Sequence, residues 1–349
     1  MRSSYNEDDV ILLLKDITGL VAPQPTKERE KLIQAGKHYS EMLPIEYVPT
    51  EIYMKVYREA LETCSEPTAR AVGSLAGKII SSRGRDVVLV SLARAGIPIG
   101  ILLKRYIKFK YNINIPHYSI SIIRGRGIDN NAMKYLLDRH KPDQLLFVDG
   151  WIGKGAILNE LKKCLTAYKG VSSEIAVLAV PANVTNLCGT HDDILIPSSC
   201  LNCTVSGLIS RTFLRDDIIG KDDFHGAVFY KELEKADLSY EFINAIERHF
   251  GIEPVTESIQ PEGFGIDEVK EIAGHFNIDD INLVKPGIGE ATRVLLRRVP
   301  WKILIDPKFM DSKQLSHLIR LAEEKCVPIE AYPMKHYKCC GIIRRMADA

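Results

Sequence analysis

Short runs of β-branched and aliphatic residues alternate with helical patterns through the middle of the chain. The runs that we predict to be buried strands lie at 87–90, 118–123, 145–148, 175–180 and 194–196. Between them, residues 98–109 and 156–168 carry apolar side chains at helical spacing. Strands that alternate with helices predict a mostly parallel sheet with crossover helices, in which ligands bind at the carboxyl ends of the strands.

A second, smaller α/β pattern follows near the end of the chain. Its predicted helices and strands lie at 290–298, 301–305, 312–325 and 327–331. A polar segment rich in Pro and Gly precedes it at 252–265, and a short helix is expected at 266–276. Since single cores rarely extend beyond about 250–300 residues, we predict one domain at 1–251, a linker with a short helix at 252–279, and a second domain at 280–349.

The charge of the chain is divided unevenly between these domains. The net charge is +1, yet residues 280–349 contain 13 Lys and Arg against 8 Asp and Glu, and the preceding residues contain 33 against 37. A basic second domain is consistent with a polyanionic partner, although such a difference is also typical of a solvated face.

Composition and targeting signals favour a cytoplasmic protein. The first apolar cluster, at 10–14, is short and flanked by charges, so it predicts neither a signal sequence nor a membrane span. Eight cysteines are scattered along the chain, which favours reduced thiols over a disulfide framework. We therefore expect no membrane partner. The oligomeric state stays open and a homodimer is allowed.

A glycine-rich turn separates a predicted strand from the helix after it. Asp149 ends the strand, and Gly153, Lys154 and Gly155 lead to a helix start at Ala156. Backbone N–H groups of such a turn can converge on an anion, the helix start adds a partial positive charge, and Lys154 can add a full one. The spacing is neither a Walker motif nor a GxGxxG motif. The segment predicts a phosphate site, and the alternative is a turn whose glycines serve only tight geometry.

Two further loops follow predicted strands and carry arginines. Arg94 lies among small residues before Pro98, and we predict that it holds a diphosphate or, alternatively, caps carbonyl groups. Arg124 and Arg126 alternate with glycines, which predicts a mobile loop that closes over phosphate. A solvated turn or an RNA contact is the alternative for that loop.

The segments at 91–100, 117–129 and 147–157 together resemble a divergent phosphoribosyltransferase family found with bacterial tellurite-resistance and stress gene clusters. Members of that family are typically fused to a Pelota-type RNA-binding domain, and the family is also described as the StiP cysteine proteases. The resemblance begins near His38 and covers most of the chain. It implies a type I phosphoribosyltransferase-like fold that binds phosphoribosyl diphosphate (PRPP) with Mg²⁺ and transfers the sugar to a nucleobase or base-like metabolite.

The resemblance also implies roles for individual residues. Asp149 would stabilise positive charge on the sugar and bind Mg²⁺, and Arg94, Arg124 and Arg126 would stabilise the leaving diphosphate. The implied PRPP-binding residues are Ser91, Ala93, Ala95, Gly96, Gly150, Gly153, Lys154, Gly155 and Ala156. Gly150 stands where the family carries a second acid, which favours as an alternative a non-catalytic PRPP sensor.

The polar segment at 197–212 is expected to border the same site. Ser206, Arg211 and His225 are the candidate base-binding residues. The same region supports a different hypothesis, in which Cys200 or Cys203 is the nucleophile of a cysteine hydrolase and His225 is its base.

The second domain begins with a glycine turn before a basic helix. Gly287, Glu290 and Arg293 resemble the Gly-x-x-Glu-x-x-Lys/Arg segment of Pelota and kink-turn-binding ribosomal proteins, which enters bent RNA. The candidate RNA-binding residues are Lys285, Gly287, Glu290, Arg293, Arg297 and Lys335. RNA is the expected partner, and binding to another protein is the alternative.

Overall fold

The computed structural model describes residues 1–182, 185, 187–254 and 261–345, and within them the chain is a mixed α/β protein. In the described residues the strands are β1 Ile11–Leu12, β2 Lys15–Asp16, β3 Val88–Leu92, β4 His117–Ile120, β5 Ile122–Ile123, β6 Gly127–Ile128, β7 Leu145–Trp151, β8 Ile175–Ala179, β9 Cys188–Thr190, β10 Gly226–Ala227, β11 Val284–Pro286, β12 Pro300–Ile305, β13 Ile329–Ala331 and β14 Cys339–Ile343. The α-helices are α1 Thr26–Gln34, α2 Glu51–Arg83, α3 Gly96–Tyr111, α4 Asn130–Leu137, α5 Ala156–Leu165, α6 Ser239–Glu247, α7 Gly265–His275, α8 Ile288–Arg297 and α9 Ser316–Glu324.

The first part of the chain forms a parallel sheet of six described strands, in the order β1-β4-β3-β7-β8-β9. All five pairings along that order are parallel. The prediction of a mostly parallel sheet with flanking helices is therefore confirmed. Because the strands run in one direction, the loops after β3, β7, β8 and β9 meet at one edge of the sheet.

Alternating side chains of the sheet fill two cores. In β3, Val88 and Val90 face one core and Leu89 faces the other, as expected from the period of two along a strand. Helices α2, α3 and α6 pack together on the Leu89 side, whereas residues of α4 and α5 fill the opposite core. The sheet is thus buried on both faces, which explains its continuous apolar runs.

Helix α2 is 33 residues long and was not predicted from the sequence. It follows Thr50 and ends at Gly84, whose φ of 74° lies in the left-handed region that favours glycine. Its middle carries fully buried side chains such as Val72, Leu75 and Ile79, which pack in the same core as Leu89.

The second sheet has four described strands in the order β11-β14-β12-β13, with β13 parallel and β11 and β14 antiparallel to their neighbours. Helix α7, expected as part of the connecting segment, packs its Val269 and Ile272 against Leu304 and Ile342 of this sheet. Residues 255–260 of that segment lie outside the described residues. The proposed domain boundaries stay predictions.

The two sheets share an apolar core through α8. Ile288, Ala291 and Leu295 of α8 belong to the same core cluster as Leu195 and Leu201 of the first part of the chain. The α8 helix contacts the 3₁₀ turn Pro197–Cys200 directly. The second domain is therefore packed onto the first rather than separated from it by solvent.

The strand predicted at 194–196 is wrong, because these residues form no strand and the edge strand is β9. Gly189, in the middle of β9, lies against the backbone of α2, where an added Cβ would collide with the carbonyl oxygen of Ala71. Strand β9 therefore packs closely against α2, and this packing cannot be read from the sequence. In the described part of the chain, no helix is long and apolar enough to cross a membrane.

We predict that Gly96→Ala destabilises the protein by about 1–3 kcal/mol, because a Cβ at the start of α3 would collide with the carbonyl oxygen of Val148 in β7. The matched control is Gly274→Ala in α7, where an added Cβ meets nothing within 4 Å. That change should be neutral or stabilising by up to about 1 kcal/mol. Urea unfolding of both variants measures the difference, and equal stabilities would contradict the packing described for α3.

Candidate active site

A cavity of about 160 Å³ lies at the carboxyl edge of the central sheet, where the two domains meet. The residues that line it are Arg94, Ala95, Pro98, Ile99, Gly150, Trp151, Ile194, Ile196, Ser198, Ser199, Leu201, Asn202, Ser206, Gly289, Glu290, Arg293 and Arg297. The loops after β3 and β7 form one wall and α8 forms another. The cavity therefore combines residues of both domains.

Arg94 is the predicted site residue that enters this cavity most directly. Its Nη1 donates a hydrogen bond to the carbonyl of Ile209 at 2.9 Å and pairs with Glu46 at 3.2 Å. Burial lowers the pKa of the guanidinium, but the attraction and hydrogen bond of Glu46 together with the nearby Cys203 and Tyr230 outweigh burial, so the pKa is raised. Ala95 lies beside it in the cavity wall, whereas the Ser91 hydroxyl is buried against the His117 ring at 2.7 Å.

The predicted phosphate turn does not lie in the cavity. Gly150 and Trp151, at the end of β7, line it, whereas the residues of the turn that follows do not; these are Gly153, Lys154, Gly155 and Ala156. Lys154 Nζ instead donates to the carbonyls of Ile281 at 2.9 Å and Val284 at 3.1 Å. Burial lowers the pKa of this amine to about 8. Lys154 thus contacts the second domain rather than pointing into the turn.

Asp149 is half-buried at the end of β7, next to Gly150 of the cavity lining, and few groups of the protein stabilise its charge. Its Oδ1 accepts a hydrogen bond from the Gly150 N–H at 2.7 Å, and burial raises the pKa of the carboxyl to about 7. Mg²⁺ usually binds one or two carboxylates together with substrate phosphates. Within the described residues there is no group of three or more His, Cys, Asp or Glu side chains that could hold a metal ion. The expected binding of Mg²⁺ stays a prediction.

The loop predicted to close over phosphate is held by contacts with neighbouring segments. The Arg124 N–H donates to the Tyr39 hydroxyl at 2.9 Å, and Arg126 pairs with Glu41 at 2.5 Å. The Gly125 N–H donates to Glu160 at 2.9 Å. These contacts place both arginines outside the cavity that Arg94 lines.

The three candidate base-binding residues are not brought together. Ser206 lines the cavity, whereas Arg211 and His225 are absent from its described lining. The His225 ring contacts the Ser121 hydroxyl at 2.8 Å, and its backbone N–H donates to Asp129 at 2.6 Å.

The thiols of Cys200 and Cys203 are fully buried, and burial raises the pKa of each to about 12. Among the described residues no hydrogen bond joins either thiol to His225. The thiol–imidazole pair expected at these positions is therefore not formed.

A cysteine and a histidine that the sequence analysis did not select do form such a pair. Cys188 Sγ, at the start of β9, lies 3.3 Å from His191 Nε2, just after the strand. His191 Nδ1 lies 2.8 Å from the Val180 carbonyl oxygen. Because a carbonyl only accepts, this contact places the proton on Nδ1 and leaves Nε2 unprotonated. The sulfur also lies 3.8 Å from Nδ1, so it is close to both ring nitrogens. The signal in the sequence was a Cys-x-x-His spacing across the end of a short strand.

The surroundings of this pair keep it neutral. Burial lowers the pKa of His191, so its ring is an uncharged base at neutral pH. Burial raises the pKa of the Cys188 thiol, whereas the positive charge of Lys78 lowers it. Lys78 lies close by, because its Nζ donates to the Cys188 carbonyl at 3.0 Å. Cys188 is fully covered, so its sulfur must be exposed before it can attack a substrate.

The candidate RNA-binding residues lie in two different environments. Glu290, Arg293 and Arg297 line the cavity. Gly287 lies so close to Trp151 that an added Cβ would stand 2.6 Å from its ring. Lys335 is exposed and pairs with Glu271 at 3.2 Å.

Lys285, another candidate RNA-binding residue, is partly buried, and burial lowers the pKa of its amine. The face of α8 expected to meet RNA is thus partly covered by the first domain.

Comparison with known proteins gives two family matches and one relative. Residues 3–247 match the family described as tellurite-like stress resistance cysteine protease StiP. Residues 264–345 match the Pelota RNA-binding domain. A protein named cysteine protease StiP from Acinetobacter baylyi is 34% identical over 364 aligned positions, which cover 98% of this chain and 94% of the relative.

These matches overturn the prediction of a PRPP-dependent transferase. The family and the relative are both named as a cysteine protease, so the expected phosphoribosyltransferase activity, with PRPP and a base as substrates, is wrong. The stress-resistance and Pelota parts of the resemblance are confirmed. The cysteine hydrolase kept as an alternative agrees better with the comparisons.

We predict that Asp149→Asn raises the stability of the protein most strongly above pH 7. Burial raises the folded-state pKa of Asp149 to about 7 from a usual 3.8, so ionisation opposes folding increasingly between about pH 4 and 7. Removing the charge should stabilise the protein by roughly 1–3 kcal/mol at pH 8 and by little at pH 4. Urea unfolding of both proteins across this range measures the difference, and a gain that does not grow with pH would contradict it.

Proposed function

This chain belongs to the tellurite-like stress resistance cysteine protease family StiP, and we propose on that premise that it is a thiol-dependent hydrolase of peptide bonds with Cys188 as nucleophile. The observation that carries the proposal is the contact of 3.3 Å between Cys188 Sγ and His191 Nε2. Among the described residues, Cys188 is the cysteine whose thiol is hydrogen-bonded to an imidazole.

The geometry assigns a role to each group of the pair. His191 Nε2 accepts the thiol proton, and Cys188 Sγ forms a bond to the carbonyl carbon of the scissile peptide. The imidazolium then returns the proton to the departing amine nitrogen as the C–N bond breaks, which leaves a thioester on Cys188. Water hydrolyses the thioester, releases the acid and restores the thiol. The Val180 carbonyl orients the ring by accepting a hydrogen bond from the Nδ1–H group throughout.

A second function is proposed for the C-terminal domain, which we infer binds structured RNA. The match to the Pelota RNA-binding domain over residues 264–345 supports this proposal, and so does the excess of basic residues in 280–349. Since α8 is partly covered, we assign phosphate contacts to exposed basic side chains, including Lys335 and Arg298.

We also propose that the central sheet keeps the type I phosphoribosyltransferase-like arrangement without that activity. Its parallel order β1-β4-β3-β7-β8-β9, with loops that meet at one edge, supports this architecture. Fold and chemistry are separable, because function depends on the side chains placed on a fold.

We predict that Cys188→Ala and Cys188→Ser lower the hydrolysis of fluorescently labelled casein by at least about 100-fold, because the nucleophile is lost. His191→Gln should lower it at least about tenfold, because the proton acceptor is lost. Release of labelled peptides under reducing conditions measures the rates.

Cys200→Ala and Cys203→Ala are the matched controls for this experiment. Both remove a buried thiol that has no imidazole partner in the described structure, so activity should stay within a few-fold of the parent protein. Full activity of Cys188→Ala, or abolition of activity by either control in a folded protein, would reject Cys188 as the nucleophile.

We predict that Lys335→Ala weakens binding of a labelled RNA hairpin with an internal loop by about three- to tenfold. Loss of one phosphate contact should also reduce the slope of log affinity against log salt by about one. Fluorescence anisotropy at several salt concentrations measures both quantities. Lys235→Ala, an exposed lysine of the first domain, is the control and should bind like the parent. An unchanged affinity and slope for Lys335→Ala would count against this surface.

A further inference from the structure

Three arginines from both domains line the cavity at the domain junction, but carboxylates pair with only two of them. Arg94 pairs with Glu46 at 3.2 Å, and Arg293 pairs with Glu290 at 2.9 Å. In the part of the chain that the structure describes, no carboxylate pairs with Arg297. The group therefore has one positive charge more than the protein itself compensates.

Among these three arginines, Arg297 has the environment that is least favourable for a positive charge. Its Nη2 is buried and has no hydrogen-bond partner among the described residues. Burial, together with the charges of Arg293 and Arg94, lowers the pKa of this guanidinium to about 10. A buried charge without a hydrogen-bond partner is destabilising. A site with this arrangement is stabilised when an anion enters.

The remaining lining restricts the kind of anion. The hydroxyl groups of Ser198 and Ser206 line the cavity, whereas the Ser199 hydroxyl donates to the Ile196 carbonyl at 2.8 Å and the Asn202 amide donates to the Tyr47 carbonyl at 2.7 Å. The volume of about 160 Å³ is below the roughly 300–1,000 Å³ typical for drug-sized ligands, so the cavity suits a small charged group. A phosphate offers oxygens in tetrahedral directions and can accept from guanidinium groups on opposite walls, whereas the two oxygens of a carboxylate lie in one plane.

We propose that this cavity binds a phosphate group between Arg94 of the first domain and Arg293 and Arg297 of the second. The phosphate can belong to a nucleotide or to an RNA backbone, and the site recognises the chemistry that both share. Neither domain alone contains the complete site. Binding therefore stabilises the docked arrangement of the two domains. The site is separate from the Cys188–His191 pair and does not depend on hydrolytic activity.

Thermal unfolding of the full chain in inorganic phosphate tests the proposal, with chloride used to hold the ionic strength constant. Phosphate should raise the Tm of the parent protein saturably, because a ligand of the folded state stabilises it. Arg297→Met removes the unpaired charge and keeps a similar volume. It should match or exceed the parent Tm without phosphate and lose the phosphate response, with affinity at least about tenfold lower by calorimetry.

Arg85→Met is the control, because Arg85 is an exposed arginine of the first domain outside the described cavity lining, and it should respond to phosphate like the parent. Arg293→Gln changes a half-exposed side chain and should also weaken phosphate binding at least about fivefold. The proposal is overturned if the parent shows no saturable response, or if both Arg297→Met and Arg293→Gln bind phosphate like the parent.

Two competitors identify the source of the phosphate. Displacement of inorganic phosphate by adenosine 5′-monophosphate indicates a nucleotide, and displacement by the dinucleotide ApA, which has a single internal phosphodiester, indicates an RNA backbone. Both outcomes support the site. Because every readout is binding, loss of casein hydrolysis in Cys188→Ala leaves this test intact.

Discussion

The carboxylate of Asp193 holds the two domains together at the point where their chains come closest. Its Oδ1 accepts the Ile288 N–H at the start of α8 at 3.1 Å, and its Oδ2 accepts the Lys338 N–H at 3.0 Å. The side chain is almost fully buried, and burial raises its pKa to about 6. Both backbone donors would lack a partner without it, and unsatisfied buried donors are costly. Asp193 therefore fixes the start of α8 against the first domain, in addition to the apolar contacts that Ile288, Ala291 and Leu295 make.

The sequence predicted the regular parts of the fold because their signals are local. Strands β3, β7 and β8 and helices α3 and α5 follow directly from apolar runs and helical spacing, and so do α8 and β12 of the second domain. Helix α2, the longest described helix, was not predicted. Several of its buried residues are small or polar, such as Ala71, Gly73 and Thr68, so they do not form a clear apolar stripe in the sequence. Strand β9 was missed because its three residues include Gly189, which packing against α2 requires.

The candidate site was harder to predict, since its parts come together only through packing. Arg94, Ala95, Gly150 and Ser206 were selected from their loops, and all four line the junction cavity. Lys154 was misleading, because a lysine beside glycines is equally suited to a phosphate and to the carbonyls of Ile281 and Val284. The transferase hypothesis was based on the order of the loops along a parallel sheet. That order is characteristic of a fold and does not determine which reaction the fold catalyses.

The thiol pair and the junction cavity are parts of one continuous segment. His191 lies two residues before Asp193, and Ile194, Ile196, Ser198 and Ser199 after it line the cavity. The residue that contacts the buried sulfur of Cys188 and the residue that accepts hydrogen bonds from the second domain therefore lie two positions apart in the same segment.

Under the proposed functions, the thiol and the domain junction are linked through this segment. A ligand that stabilises the docked domains would also hold the contact between Cys188 and His191 in place, and because such coupling is reciprocal, a change at the thiol would act on the junction with the same free energy. This linkage would give the proposed RNA-binding domain a physical means of controlling the proposed thiol hydrolase.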